Sequence, residues 1–223
     1  FCERKIKITT RLLRSSAFAY CSKVSFVHNG GNMPKKIAQM ILAMGSNLAL
    51  GGSAPELTLR QAITAIVRRG GVIRKISTFY QTPCFPAGAG PDYVNAALLL
   101  EAAWSPTETM AHLHAIELKF GRERVQRWGQ RTLDLDLIAI DAVVSPDLET
   151  YEVWRNLAPD LQKMRAPTDL ILPHPRVQDR AFVLVPMSEV AKDWVHPVLG
   201  LSVEQMLDAI PDIEKAEVIP LKQ

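Results

Sequence analysis

Apolar positions recur along this chain with a period of two in some stretches and of three to four in others, and the changes of period mark out its elements. Ile37 to Met44 is a short apolar run that ends at Gly45-Ser46-Asn47, the pattern of a buried strand and a turn. Leu59, Ala62, Ile63, Ile66 and Val67 follow at helical spacing, behind Ser53-Ala54-Pro55-Glu56. That tetrapeptide matches a capping box, in which a serine and a glutamate three residues on satisfy free amides at a helix start. Gly70-Gly71 stops the helix. Val72 to Tyr80 is rich in β-formers, and residues 81–92 carry the prolines and glycines of a loop. Tyr93 to Glu101 predicts a third strand. Ser105-Pro106-Thr107-Glu108 is a second capping box with proline at the first helical position, and Met110, Leu113, Ile116 and Phe120 give its helix an apolar stripe. Gly121 ends that helix, residues 122–130 are polar and basic, and Arg131 to Ile140 predicts a fourth strand.

The order is strand, helix, strand, strand, helix, strand. This is the split βαβ plan of an α+β fold, a ferredoxin-like α/β sandwich with an antiparallel sheet and packed helices. One catalytic domain is expected over residues 36–213. Residues 142–169 are expected as an insertion, Ser202 to about Ile210 as a capped final helix, and 214–223 as a C-terminal tail. Residues 1–35 are basic, serine-bearing and poor in acids, and are expected to stay outside the folded domain. They fit either a targeting segment or a stretch upstream of a start at Met33.

Hydrophobic residues make up 48% of the 223 positions and the formal net charge is +3. The apolar content suffices for one domain with a sizeable core, and the basic excess is too small to argue for nucleic acid. No apolar run approaches the roughly 18 residues of a membrane span. Cys2, Cys21 and Cys84 are scattered and form no C-x-x-C pair, so a reducing, cytoplasmic setting is the simpler expectation.

The stretch Arg131-Thr132-Leu133-Asp134-Leu135-Asp136-Leu137-Ile138 carries the chemistry. Alternation in a strand sends Leu133, Leu135 and Leu137 to one face and Asp134 with Asp136 to the other. Two adjacent carboxylates in an apolar strand repel each other, and a hard divalent cation such as Mg²⁺ offsets that repulsion. A solvated strand face at a sheet edge is the plain alternative. Arg122, Arg124, Arg127 and Arg131 lie just upstream, and arginine is suited to bidentate phosphate contacts. No Walker loop is present, so any nucleotide is bound in another way. Pro173-His174-Pro175-Arg176 with Arg180 forms a second basic cluster in which two prolines fix the backbone around the histidine.

Together these segments resemble the 6-hydroxymethyl-7,8-dihydropterin pyrophosphokinase family. The carrying residues are Gly45-Ser46-Asn47, Ser77 to Pro83, Asp92 to Ala96, Glu117-Leu118 with Gly121-Arg122, Arg127 to Asp136, and Pro173 to Arg176 with Arg180 and Phe182. The resemblance implies transfer of the pyrophosphoryl unit of ATP to a hydroxymethyl dihydropterin with release of AMP. It implies two Mg²⁺ ions held by Asp134 and Asp136, and catalytic roles for Arg122, Arg124 and Arg131. It also implies ATP contacts from Glu117, Leu137, Ile171, His174 and Arg180. Thr82, Pro83, Phe85, Tyr93, Asn95, Trp128 and Phe182 would line the pterin pocket. A monomer is expected, with no nucleic-acid or membrane partner. The chain departs from the family pattern at Gln130, at His114 and in a short stretch between Gly121 and Trp128. Another two-metal phosphotransferase and a ferredoxin-like RNA-binding module are the competing classes; the aromatic motif of the latter is missing.

Overall fold

The computed structural model describes residues 36–84, 88, 90–121, 131–158, 161 and 164–222. Its six strands are β1 (Ala38–Ser46), β2 (Val72–Ile76), β3 (Tyr80–Thr82), β4 (Tyr93–Ala102), β5 (Asp134–Ile140) and β6 (Ile219–Pro220). All pairings are antiparallel, in the order β5-β1-β4-β3-β6, with β2 also on β4. The helices α1 (Pro55–Arg68) and α2 (Pro106–Lys119) complete the expected split βαβ plan. The chain is thus α+β and ferredoxin-like, as its element order predicts.

Period-two alternation divides the sheet into two faces, each with its own core. Met40, Leu42, Met44, Leu98, Leu100, Leu133, Leu135 and Leu137 pack against Leu59 and Ile66 of α1 and Leu113 and Ile116 of α2. The opposite face, with Ile41, Ala97, Leu99 and Ile138, packs against α4 (Ala181–Ala191) and α5 (Val203–Asp208). Fully burying one such leucine or isoleucine contributes about 1.5–3 kcal/mol, so the two layers jointly hold the strands that carry the polar end of the sheet.

Several expectations change. The predicted strand Val72–Tyr80 is two strands, because Ser77 turns inward: its backbone N–H bonds Ala97 O, and its hydroxyl accepts from Ala97 N. The capping box at Ser53 does not form. Ala54 is the N-cap, Pro55 starts α1, Ser53 pairs with Leu50, and Glu56 bonds Arg60 instead. The box at Ser105 and Glu108 does form, as does one at Ser202 and Gln205. Gly121, at φ 72°, closes α2 in a conformation that favours glycine.

The stretch expected as a C-terminal tail holds the end of α6 (Asp212–Ala216) and then β6, which pairs with β3. Leu221 N–H adds a bond to Phe79 O at 2.8 Å. The insertion is built into the fold as well. Its helix α3 (Leu148–Arg155) is capped by Asp147 and buries Tyr151, whose hydroxyl lies 2.9 Å from His196 Nε2. Ser145 and Leu172 exchange both backbone bonds, so the insertion clamps the segment leading to His174. Residues 1–35 lie outside the described residues. Among the described residues no helix is long and apolar enough to cross a membrane.

Candidate active site

One end of the sheet collects most of the predicted polar residues on the α4 face. Asp134 of β5, Gly45 of β1 and Asn95 of β4 form one lateral row, continued by Tyr80 of β3. Asp136, Ala43 and Ala97 form the next. Residues in register share a face, so the two aspartates stand together while Leu133, Leu135 and Leu137 are buried on the other side. Between the aspartates and β4 lie only Gly45 and Ala43. The result is a trough with carboxylates on one wall and Asn95 and Tyr93 on the other. Its floor needs glycine: a Cβ on Gly45 would fall 2.8 Å from Asn95 Oδ1 and 3.7 Å from Tyr93 Cδ1.

Carboxylates two positions apart on one strand face are roughly 7 Å apart, and at an effective dielectric of 20 they repel by about 2 kcal/mol. Arginines stand against both. Arg131 Nη1 pairs with Asp134 Oδ2, and Arg180 Nη1 is 4.0 Å from Asp136 Oδ2. Burial works against the Arg131 charge, but Asp134 and then Asp136 outweigh it and hold its pKa above the usual guanidinium range. For Arg180 burial prevails over the attraction of Asp136, and its pKa is drawn down.

The backbone of this corner is fixed by Asn47, which is 4% exposed. Its N–H donates to Arg131 O at 3.1 Å and its Oδ1 accepts from Arg131 N at 2.9 Å. Its Nδ2 donates to Pro91 O at 3.1 Å, and the neighbouring Ser46 hydroxyl donates to Thr132 O at 2.6 Å. One asparagine therefore ties the end of β1 to the entries of both β4 and β5. It was absent from the predicted site residues, although Gly45-Ser46-Asn47 stood out in the sequence; its partners lie too far along the chain for local pattern to show them.

The remaining predicted residues divide by position. Asn95 Nδ2 donates to Thr82 Oγ1 at 2.6 Å, and both are buried. Pro83 is exposed beside them, and Tyr93 is half-buried. Phe182, 40% exposed at the start of α4, lies under the Arg180 guanidinium at 5.6 Å. His174 N–H bonds Ile138 O at 2.8 Å, which fixes it along β5. Its Nδ1 accepts from Arg176 N at 3.2 Å. Burial, then Arg180 and Arg176, push its pKa down to about 3. A neutral imidazole whose Nδ1 accepts carries its proton on Nε2, a donor suited to an anionic oxygen.

Three predicted nucleotide contacts have buried side chains. Glu117 is 2% exposed and its Oε1 accepts from Leu135 N at 2.8 Å, so it positions β5 from the α2 side. Leu137 and Ile171 are buried in the cores, which leaves their backbones as the groups able to face a ligand. His114 is exposed on α2. Phe85, Arg122, Arg124, Arg127, Trp128 and Gln130 lie outside the described residues.

The donor set fits a hard cation. Asp134 and Asp136 offer carboxylate oxygens, and among the described residues no cluster of three or more His, Cys, Asp or Glu surrounds a common point. Mg²⁺ is commonly held by one or two carboxylates, with waters and substrate phosphates completing its shell.

The family model described as 7,8-dihydro-6-hydroxymethylpterin-pyrophosphokinase matches residues 41–192. A 2-amino-4-hydroxy-6-hydroxymethyldihydropteridine pyrophosphokinase of Synechocystis sp. is 37% identical over 169 residues, 74% of this chain and 76% of the relative. One of Pseudomonas aeruginosa is 31% identical over 186 residues, 82% of this chain and 98% of the relative. Among solved structures, wild-type Plasmodium falciparum HPPK-DHPS aligns with a TM-score of 0.54 at 12% identity over 78% of this chain. The chain spans 44% of the length of that protein, and the likeness shows the fold alone.

Proposed function

Since the chain belongs to the 7,8-dihydro-6-hydroxymethylpterin-pyrophosphokinase family, we propose that it transfers the pyrophosphoryl group of ATP to the hydroxymethyl oxygen of 6-hydroxymethyl-7,8-dihydropterin. The products are AMP and the pterin diphosphate, in folate biosynthesis. The observation that carries this reading is the row Asp134–Gly45–Asn95, which sets an acidic wall and a wall of hydrogen-bonding and aromatic groups on either side of an open floor.

Asp134 and Asp136 would hold two Mg²⁺ ions, which when bound neutralise phosphate charge during attack at the β-phosphorus. Arg131 and Arg180 bind phosphate oxygens from the same wall, and Arg131 adds the bidentate geometry that suits them. His174 donates from Nε2 to a phosphate oxygen without contributing a second buried charge. Phe182 and Tyr93 flank a flat heterocycle, and Asn95 with Thr82 orients its polar edge. Asn47 and Glu117 act through the backbone, holding the entry of β5 so that the carboxylates keep their spacing. Arg122, Arg124 and Trp128, on the adjoining stretch, are assigned to closure over the nucleotide, and Phe85 with Pro83 to the pterin side. The cytoplasm is the proposed setting, with a monomer as the working unit.

Incubation with ATP, Mg²⁺ and the pterin tests the assignment. AMP and a diphosphorylated pterin are expected, formed only when the pterin is present. ADP as the nucleotide product overturns the assignment and moves the chain to ordinary phosphotransfer on the same fold.

A further inference from the structure

The Arg131 guanidinium sits on one oxygen of the carboxylate that would hold a metal ion at Asp134. Its Nη1 pairs with Asp134 Oδ2, while the other arginine stands farther from its partner, with Arg180 Nη1 4.0 Å from Asp136 Oδ2. The main chain of Arg131 is held at both its N–H and its carbonyl by Asn47. Only the side chain is therefore left to rearrange. A guanidinium and a divalent ion both carry positive charge and repel each other strongly when they share one carboxylate oxygen. An arginine left in place therefore weakens the hold of that carboxylate on a metal. Both side chains are only partly exposed, 26% for Arg131 and 20% for Asp134. A displaced guanidinium in such a place requires another anion, and a polyphosphate arriving along the same wall supplies it.

We propose that Arg131 is a built-in competitor for the metal at Asp134, and that it couples metal uptake to nucleotide uptake by moving from the carboxylate to a phosphate. The inference rests on the metal assignment made above and adds an order to it: without nucleotide the carboxylate is held by the arginine, and the divalent ion gains full access only when phosphate draws the guanidinium away. A single substitution then has two effects of opposite sign. Removing the Arg131 charge uncovers Asp134 and strengthens binding of the ion alone. The same removal takes a partner from the phosphates and weakens binding of the nucleotide. An arginine that only bound phosphate would show the second effect without the first.

R131M keeps the apolar stem and removes the charge. Calorimetric titration with Mn²⁺ alone is expected to show about tenfold tighter binding to R131M than to the unsubstituted protein. Titration with a non-hydrolysable ATP analogue and Mg²⁺ is expected to show binding weaker by about tenfold or more. R131K keeps the charge and should stay near the unsubstituted protein in the Mn²⁺ titration. The R131M gain should vanish when D134N is added. R131Q makes the same charge removal if R131M does not fold. Mn²⁺ affinities that agree within about twofold, weaker Mn²⁺ binding to the variant, undetectable Mn²⁺ binding to both proteins, or a gain that survives D134N would each overturn the proposal. Pterin-dependent AMP release by the unsubstituted protein is measured separately, so a failure of the coupling and a failure of the proposed reaction are told apart.

Discussion

Asn47 and Arg131 hold each other through a reciprocal pair of hydrogen bonds, one from backbone to backbone at 3.1 Å and one from the Arg131 N–H to the Asn47 side chain at 2.9 Å. The pair welds the end of β1 to the segment that enters β5. Because Asn47 is buried, Asn47→Ala leaves the Arg131 N–H and the Pro91 carbonyl without their partner. A stability loss of about 2–3 kcal/mol is expected for such unsatisfied groups, read from urea denaturation. Activity should fall further than stability explains, since the Asp134 wall loses its fixed distance from β4. A fully active variant with unchanged denaturation would contradict this account.

Gly45→Ala tests the trough directly. The added methyl lands 2.8 Å from Asn95 Oδ1, so the asparagine must move or the strands must part. Pterin affinity is expected to fall by about tenfold or more, while the circular dichroism spectrum stays that of the folded protein. Fluorescence titration with the pterin measures the loss, and unchanged affinity would show that the floor of the trough is not used.

Asp136→Asn removes one charge from the acidic wall without disturbing the core, because its side chain is 42% exposed and meets Arg180 only at 4.0 Å. Turnover is expected to drop by about a hundredfold or more, with a melting temperature close to that of the unsubstituted protein. Substantial turnover in this variant would remove Asp136 from the proposed chemistry.

His196 is expected to make the protein sensitive to mild acid. It is fully buried, and its Nδ1 accepts from Val198 N and Leu199 N, each at 3.2 Å. A proton on that nitrogen would face two donors. Burial drives the pKa down to about 4. The folded value lies below the unfolded one, so the stabilisation is complete above about pH 6.5 and is lost as the pH falls toward about 4. Between pH 7 and pH 5 this group alone removes about 2 kcal/mol. Urea midpoints of the unsubstituted protein should fall over that range more steeply than those of His196→Gln, which does not titrate; parallel curves would rule the group out.

Local pattern was enough where spacing alone decides the outcome. Alternation put Asp134 and Asp136 on one face because Leu133, Leu135 and Leu137 require the other. Two of the three capping boxes formed because nothing competed for Ser105 and Ser202. At Ser53 the sequence was ambiguous: Pro55 can begin the helix itself, and a turn at Gly51-Gly52 uses the serine in a bridge to Leu50. Helix α4 escaped notice for a different reason. It is apolar on nearly every side and contains Pro186, so it shows no stripe and carries an internal breaker. The C-terminal strand and the Asn47 clamp are long-range pairings, and a chain read in order gives no register for them. The fold class and most of the polar wall were therefore legible, while the elements that brace them were not.

The register between β1 and β5 has a kinetic consequence. Gly45 and Asp134 are neighbours in the sheet but far apart in the chain, and closing so long a loop is among the slower events in assembling a domain. Folate-pathway substrates would meet a complete trough only after that late closure. Molecules that occupy it would then select the closed chain over partly assembled ones and raise its melting temperature in proportion to the logarithm of their concentration.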